Sequence, residues 1–457
     1  MSAVAIKGGI WSRSPQRATF KLLIKLLNDR IGKPTLKAFL IAYLYVTLPR
    51  VLNCVIVSLR KKKYNKIPQR LYNILTRALH SKKFPMLSAF LVGGINILEP
   101  IVYYVIKRSG LSSSPINSLF FSTFISSFVS ALIAFPRYQG HILGYGRNWS
   151  LDLTLLVVTR ALDTALSSSL GMIAPKGIAG YGDACLFIVS CSFIMFSWFY
   201  RPHSLPPAYC KWITSAANMD VEILAALKGL HEGTIKYGTP SLVLEQYCLR
   251  HKVDPSEGNF VKNQPMKCNL VHAFKTNSCE VHALWRFLRG FSFAMKIYGP
   301  LNALMLLVPI KNAKMKSRII RSIKSTFRSS FFLGAFIGLY WYAVCLARLR
   351  IFPKLFPSVP KTRWDITVGP AAGSVLCGFS SFIESAQRRK ELALFVAPRA
   401  LGTIVPSEAS ERNLNIETFA FALSLAILVA YSRRDPRKVR GIFGRGLQQV
   451  FNRSYYK

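Results

Sequence analysis

Stretches with no charged residue alternate along this chain with stretches that are basic and free of acid. Ile116–Phe135 and Ile366–Ile383 carry no charge at all, whereas Arg60–Lys83 carries nine Lys/Arg and no acid. A helix rises about 1.5 Å per residue, so an apolar run of about 20 residues matches the roughly 30 Å hydrocarbon core of a bilayer. Inside lipid no water completes a backbone hydrogen bond, and a helix satisfies its own. The segregation therefore predicts an all-α, polytopic helical membrane protein.

Charge sharpens this reading. Of the 457 residues, 61 are Lys or Arg and 19 are acids, a formal charge of +42, yet only 18% are charged in all. A basic excess of that size raises the question of nucleic acid, but nucleic-acid modules do not carry 20-residue uncharged runs. The expected partners are membrane lipids, with anionic headgroups against the basic loops, and no nucleic acid. Nine cysteines are scattered without a paired framework, which suits a reducing or lipid environment rather than a secreted disulfide scaffold.

Taken in order, residues 1–37 form a basic amphipathic leader, with Lys7, Arg13, Arg17, Lys21 and Lys25 before the first acid, Asp29. It reads either as a mitochondrial targeting leader or as an arm lying on a membrane surface. Residues 38–200 hold five apolar segments, and residues 201–287 are polar and contain five of the seven histidines. Residues 288–431 hold five more apolar segments, and residues 432–457 form a basic tail. The two series match element for element. Leu153 to Thr164 and Leu392 to Thr403 are leucine-rich runs that both lead into Arg-Ala-Leu-x-Thr, the mark of an internal repeat.

Five crossings per half would place Arg60–Lys83 and Lys311–Arg328 on opposite faces of the bilayer, against the positive-inside rule. Four crossings per half put every basic stretch on one face. The expectation is thus two tandem four-span repeats plus interfacial or re-entrant helices, the proline-broken first run of each half lying in the interface.

Within the spans, small residues mark where helices approach, since close van der Waals contact replaces the hydrophobic drive in lipid. Gly93 and Gly94, the pair Gly334/Gly338 and the pair Gly369/Gly373 are the expected packing glycines, with Ser122/Ser126/Ser130 at the same spacing. Intramembrane charge costs about 2.5–3.5 kcal/mol per residue on insertion scales, so Arg160, Asp163, Glu99, Arg399 and Glu391 are the polar candidates. Their plainest role is pairing, Arg160 with Asp163 or Glu99, and Arg399 with Glu384 or Glu391. The sharper one is a polar pathway or a headgroup site.

Cys268, His272, Cys279 and His282 have side chains that can bind zinc, but their spacing is not that of a standard finger. No metal ligand and no cofactor is assigned to them. No Ser-His-Asp order, nucleotide loop or His-x4-Asp motif is readable, so no catalytic residue is named and no enzyme is expected. The alternative is a membrane-embedded metal-dependent enzyme built on those four residues.

The run Cys268, His272, Ser278-Cys279, then Lys296-Ile297-Tyr298-Gly299-Pro300, Phe332-Leu333-Gly334, Trp341-Tyr342 with Cys345, and Glu384 with Arg388-Arg389-Lys390-Glu391 and Pro398-Arg399-Ala400-Leu401 resembles the transmembrane protein 135 family, also called peroxisomal membrane protein 52. The cysteine-bearing segment is similar to that family's cysteine-rich region, although here it lies mid-chain. The glycine-bearing halves resemble Tim17/Tim22/Tim23-type membrane units. The resemblance implies a peroxisomal, or second a mitochondrial, membrane protein acting in lipid metabolism and organelle dynamics, and no established chemistry; the matched halves with intramembrane arginines suggest a non-enzymatic, transporter-like or scaffold bundle. Its further partners would be a second copy or other organelle-membrane proteins. Tim17-type likeness implies, as a further alternative, a translocation channel.

Overall fold

Two compact helical units make up the chain in a computed structural model that describes residues 27–60, 65, 67–110, 114–140, 148–173, 181–307, 315–439 and 441–451. The leader up to residue 26 and the tail from residue 452 lie outside the described residues. No β-strand occurs among those described, and the α-helices of eight residues or more are α1 (Lys33–Arg60), α2 (Ile67–Ala78), α3 (Phe84–Arg108), α4 (Pro115–Gln139), α5 (Leu151–Ile173), α6 (Gly182–Tyr200), α7 (Pro207–Ala217), α8 (Val221–Glu232), α9 (Leu242–Arg250), α10 (Cys279–Leu307), α11 (Met315–Cys345), α12 (Gly369–Leu376), α13 (Ala386–Leu401), α14 (Glu411–Arg434) and α15 (Gly441–Phe451).

Local chemistry places many of the ends. Proline stands in the first turn of α3, α4 and α7, where its missing N–H and fixed φ cost nothing. Ser410 caps α14 by accepting from the Asn413 N–H, satisfying a donor that no turn precedes. Asn218 closes α7 and Gly233 closes α8, both in the left-handed region that short polar side chains and glycine tolerate.

Among the described residues, seven helices are long and apolar enough to cross a membrane: Asn28–Leu59, Phe84–Arg108, Pro115–Gln139, Gly182–Tyr200, Met315–Leu355, Lys361–Ile383 and Glu411–Arg434. Leu40, Leu44, Tyr45, Leu48, Leu52 and Ile56 are exposed along α1. An apolar face of that extent is stable against hydrocarbon and unstable in water. The chain is an integral membrane protein.

The first run, expected to lie in the interface, is one long helix. α1 runs unbroken through Pro49 for 28 residues and is long and apolar enough to span. Conversely α13, expected as a span, has 16 residues, about 24 Å at helical rise and short of a bilayer crossing. The second basic stretch is not a loop from Met315 onward; it is the first half of α11.

The first unit comprises residues 1–169 and 408–457, and the second comprises residues 170–407. In the first, α1, α3, α4 and α14 pack around Leu87, Ile95, Phe135, Phe421 and Leu428, and the Phe135 and Phe421 rings stack with centroids 4.0 Å apart. In the second, α10 and α11 form a hairpin beside α6, α12 and α13, while α7–α9 and the loops to Ser278 form the polar segment. The compact units therefore do not follow the boundaries at 200 and 288. α6 packs within the second unit, and α14 packs within the first.

Candidate functional site

Glycine spacing sets the backbone of the second unit. At Gly334 a Cβ would stand 2.9 Å from the Phe287 carbonyl oxygen, and at Gly338 it would stand 3.2 Å from Phe287 Cβ. α10 and α11 meet through these two positions. Gly373 comes equally close to α11, with the Tyr340 carbonyl oxygen 2.9 Å from its Cβ position, and Gly369 lies against Arg348. In the first unit Gly94 faces Ser130, and Gly93 faces Thr35.

The close approach of α10, α11 and α13 to α6 and α7 leaves an apolar cavity of about 210 Å³. Phe187 and Trp198 of α6, Trp212 of α7, Tyr298 of α10, Ile337 of α11 and Val396 of α13 all line it, and no charged side chain among the described residues does. An apolar cavity of about 150 Å³ stays dry and takes a benzene-sized guest. This one has room for a longer hydrocarbon segment. Tyr209 also lines it; burial pushes its hydroxyl pKa up, while the Arg399 guanidinium acts the other way.

The charged candidates fall into separate places. Glu99 is buried on α3, where it accepts from Thr123 Oγ1 at 2.8 Å and pairs with Arg433 of α14. Arg160 and Asp163 are half-buried on α5; Arg399 is half-buried and Glu391 exposed on α13. Glu384, one of the partners expected for Arg399, is buried and accepts from Ser329 Oγ at 2.6 Å, with Arg388 3.7 Å away.

Three sites of buried charge were not singled out from the sequence. Glu417 is buried on α14 and accepts from Gln139, Asn148, Ser150 and Thr154 at 2.6–2.8 Å. Its signal was a lone acid inside the apolar run from Ile416. Asp183 of α6 pairs with Arg389 of α13 at 2.9 Å. Arg348 and Asp365 form a fully buried ion pair, in which Asp365 Oδ2 also accepts from Tyr237 Oη at 2.5 Å and from the Met266 N–H at 3.0 Å. Arg348 Nη2 donates to the Met266 carbonyl at 2.6 Å. Together they pin the backbone two residues before Cys268.

The Cys/His segment converges, but not with the membership its spacing suggested. One helical turn, Cys268–Val271, places Cys268 and His272 on one side, with the His272 N–H donating to the Cys268 carbonyl at 2.8 Å. Ala273 and Phe274 are both left-handed and turn the chain toward α10, whose first residue is Cys279. Cys345, at the end of α11, is the fourth member. One ligand atom each from Cys268, His272, Cys279 and Cys345 lies within 4.8 Å of all the others. The Sγ atoms of Cys268 and Cys279 are 4.0 Å apart, and Cys345 Sγ is 3.7 Å from His272 Nε2.

His282 stands outside this set. Its ring stacks on His272 at 4.2 Å, and its Nε2 accepts from Arg286 Nε at 3.1 Å, so the ring proton sits on Nδ1. Burial first, then Arg286, His272 and Lys275, hold its pKa down at about 3. Burial likewise lowers His272 and takes Arg286 down to about 10. The Cys268 thiol is drawn down to about 6, chiefly by a hydrogen bond from the Cys345 thiol and against its own desolvation.

No protein-family model matches this chain, and no curated protein or solved structure matches it either.

Proposed function

We propose that the chain is a non-enzymatic organelle-membrane protein that handles lipid, with the cavity among α6, α7, α10, α11 and α13 as the place where a hydrocarbon chain is held. The observation that carries this reading is the cavity lining: aromatic and aliphatic side chains from five helices, and no charged one among the described residues. Such a lining fits an acyl chain and nothing ionic, because an unpaired charge taken into it would lose several kcal/mol of hydration. Gly182–Tyr200, Met315–Leu355 and Lys361–Ile383 of this unit are long and apolar enough to sit where acyl chains are abundant, which supports the reading. Arg399, close enough to Tyr209 to act on it electrostatically, adds positive charge near the cavity, which suits an anionic headgroup.

The resemblance to the transmembrane protein 135 family supports a peroxisomal membrane as the site of action, a mitochondrial one second, and a role in lipid metabolism and organelle organisation. The experiment is photolabelling of membranes with a diazirine-bearing long-chain fatty acid. Adducts on peptides from α6, α7 or α11 support the reading, and Ala216→Phe, which narrows the cavity, reduces them severalfold. Adducts confined to α1 and α3, or unchanged by Ala216→Phe, refute it.

A further inference from the structure

We propose that Cys268, His272, Cys279 and Cys345 bind one Zn²⁺ ion as a closed, structural Cys3His centre. The geometry carries this assignment. At Zn–S of about 2.3 Å and Zn–N of about 2.0–2.1 Å, tetrahedral angles put sulfurs about 3.8 Å apart and sulfur about 3.6 Å from nitrogen. The observed 4.0 Å between Cys268 and Cys279 Sγ and 3.7 Å between Cys345 Sγ and His272 Nε2 differ from those values by tenths of an ångström. The same sulfurs are about 2 Å too far apart for a disulfide, whose S–S bond is about 2.05 Å.

The surroundings match a zinc site as well. His272 Nδ1 lies 2.8 Å from the Thr276 carbonyl oxygen. A carbonyl only accepts, so the proton sits on Nδ1 and the Nε2 lone pair faces the three sulfurs. That is the tautomer a ligating histidine needs, held by the backbone partner such ligands commonly have. Three thiolates and one neutral imidazole on Zn²⁺ sum to a charge of −1, and the Arg348 guanidinium acts on Cys268 from within the fold. Binding releases to solvent whatever protons the three sulfurs still carry and changes no oxidation state. Soft sulfur with one imidazole selects zinc over magnesium or calcium. All four positions are taken by protein, leaving none for a water or substrate, which separates this centre from a catalytic one.

The centre joins the Cys268–His272 turn and the start of α10 to Cys345 of α11, tying the polar segment to a span. It rests on these four residues and not on the lipid reading.

Zinc content of the full-length chain, purified in detergent without chelators, tests it. One zinc per chain is expected, with an X-ray absorption spectrum of three sulfurs at about 2.3 Å and one nitrogen at about 2.0 Å. Cys268→Ser and Cys345→Ser lose the metal, and Cys191→Ser, a buried cysteine elsewhere, keeps it. His272→Cys, which preserves four soft donors, retains zinc with a sulfur-only shell; this variant serves should Cys345→Ser not fold. Zinc well below one per monodisperse chain after zinc supplementation overturns the proposal. So does a Cys268–Cys279 disulfide in mass spectra, or zinc unchanged in folded Cys268→Ser.

Discussion

Replacing Asp365 with asparagine changes one buried atom and removes one buried charge. The Arg348 and Asp365 side chains are 5% and 2% exposed, so water cannot compensate the guanidinium that remains. The carboxylate accepts at both oxygens, from Arg348 on one and from Tyr237 and Met266 on the other. An amide has one oxygen, so Asp365→Asn turns an N–H group either toward the guanidinium or toward the Tyr237 and Met266 donors. Breaking a buried pair from one side costs about 3–5 kcal/mol, whereas replacing both partners by apolar groups is often neutral. For a unit of 150–250 residues, about 1 kcal/mol moves the melting temperature by roughly 2–4 °C. The expected loss for Asp365→Asn is therefore roughly 6–20 °C, read by intrinsic tryptophan fluorescence of the detergent-solubilised chain. Limited proteolysis should show the loops around Met266 opening first. The double variant Arg348→Met/Asp365→Leu should recover most of the loss. A shift for Asp365→Asn within about 2 °C of the parent, or a double variant worse than the single, would refute the reasoning.

Four further outcomes are expected. Gly334→Leu, with its Cβ 2.9 Å from the Phe287 carbonyl oxygen, forces α10 from α11 and costs about 1–3 kcal/mol or more; unchanged melting would show that the hairpin does not pack through this glycine. Glu417→Leu removes the acceptor on which four side-chain donors converge; Gln139, Ser150 and Thr154 keep another acceptor, but Asn148 Nδ2 is left unpaired at about 1–3 kcal/mol, and protease resistance of the first unit should fall; unaltered resistance contradicts that network. Acidification from pH 7.5 to 5.5 should loosen the polar segment. His282 stays neutral in the fold, its pKa held down at about 3 by burial first and then by Arg286, whereas the unfolded chain takes up a proton near 6.5. Its stabilisation is thus present above about 6.5 and lost as the pH falls toward 3. His282→Gln should flatten the slope, and a melting temperature that rises on acidification would contradict the sign. Imaging a tagged chain should place it on peroxisomal membranes, or on mitochondrial ones; a uniform plasma-membrane signal removes the organelle reading.

The helical membrane character was legible because lipid imposes one rule, internal backbone satisfaction, on every apolar run. The packing glycines were legible for a similar reason, since only a missing Cβ allows the approach seen at Gly334 and Gly373. Which helix joins which unit was not legible. α6 and α14 are both predominantly apolar spans, and nothing in their composition says that α6 packs with α13, or α14 with α4. Partners of buried charges were equally hidden. Glu99 meets Arg433, a residue read only as part of a basic tail, and Asp183 meets Arg389. Cys345 was missed because it stands 66 residues after Cys279 inside an apolar run, where a cysteine reads as a small hydrophobe. The alternative reading grouped His282 with Cys268, His272 and Cys279, but Arg286, one turn along α10, holds its ring nitrogen.

The account turns on whether a hydrocarbon chain occupies the cavity bounded by Trp198, Trp212, Tyr298 and Ile337. A structure determined in lipid nanodiscs measures this most directly. The account predicts elongated density inside that cavity, absent in Ala216→Phe. A cavity closed by its own side chains, with Trp212 turned inward and no foreign density in parent or variant, would contradict it.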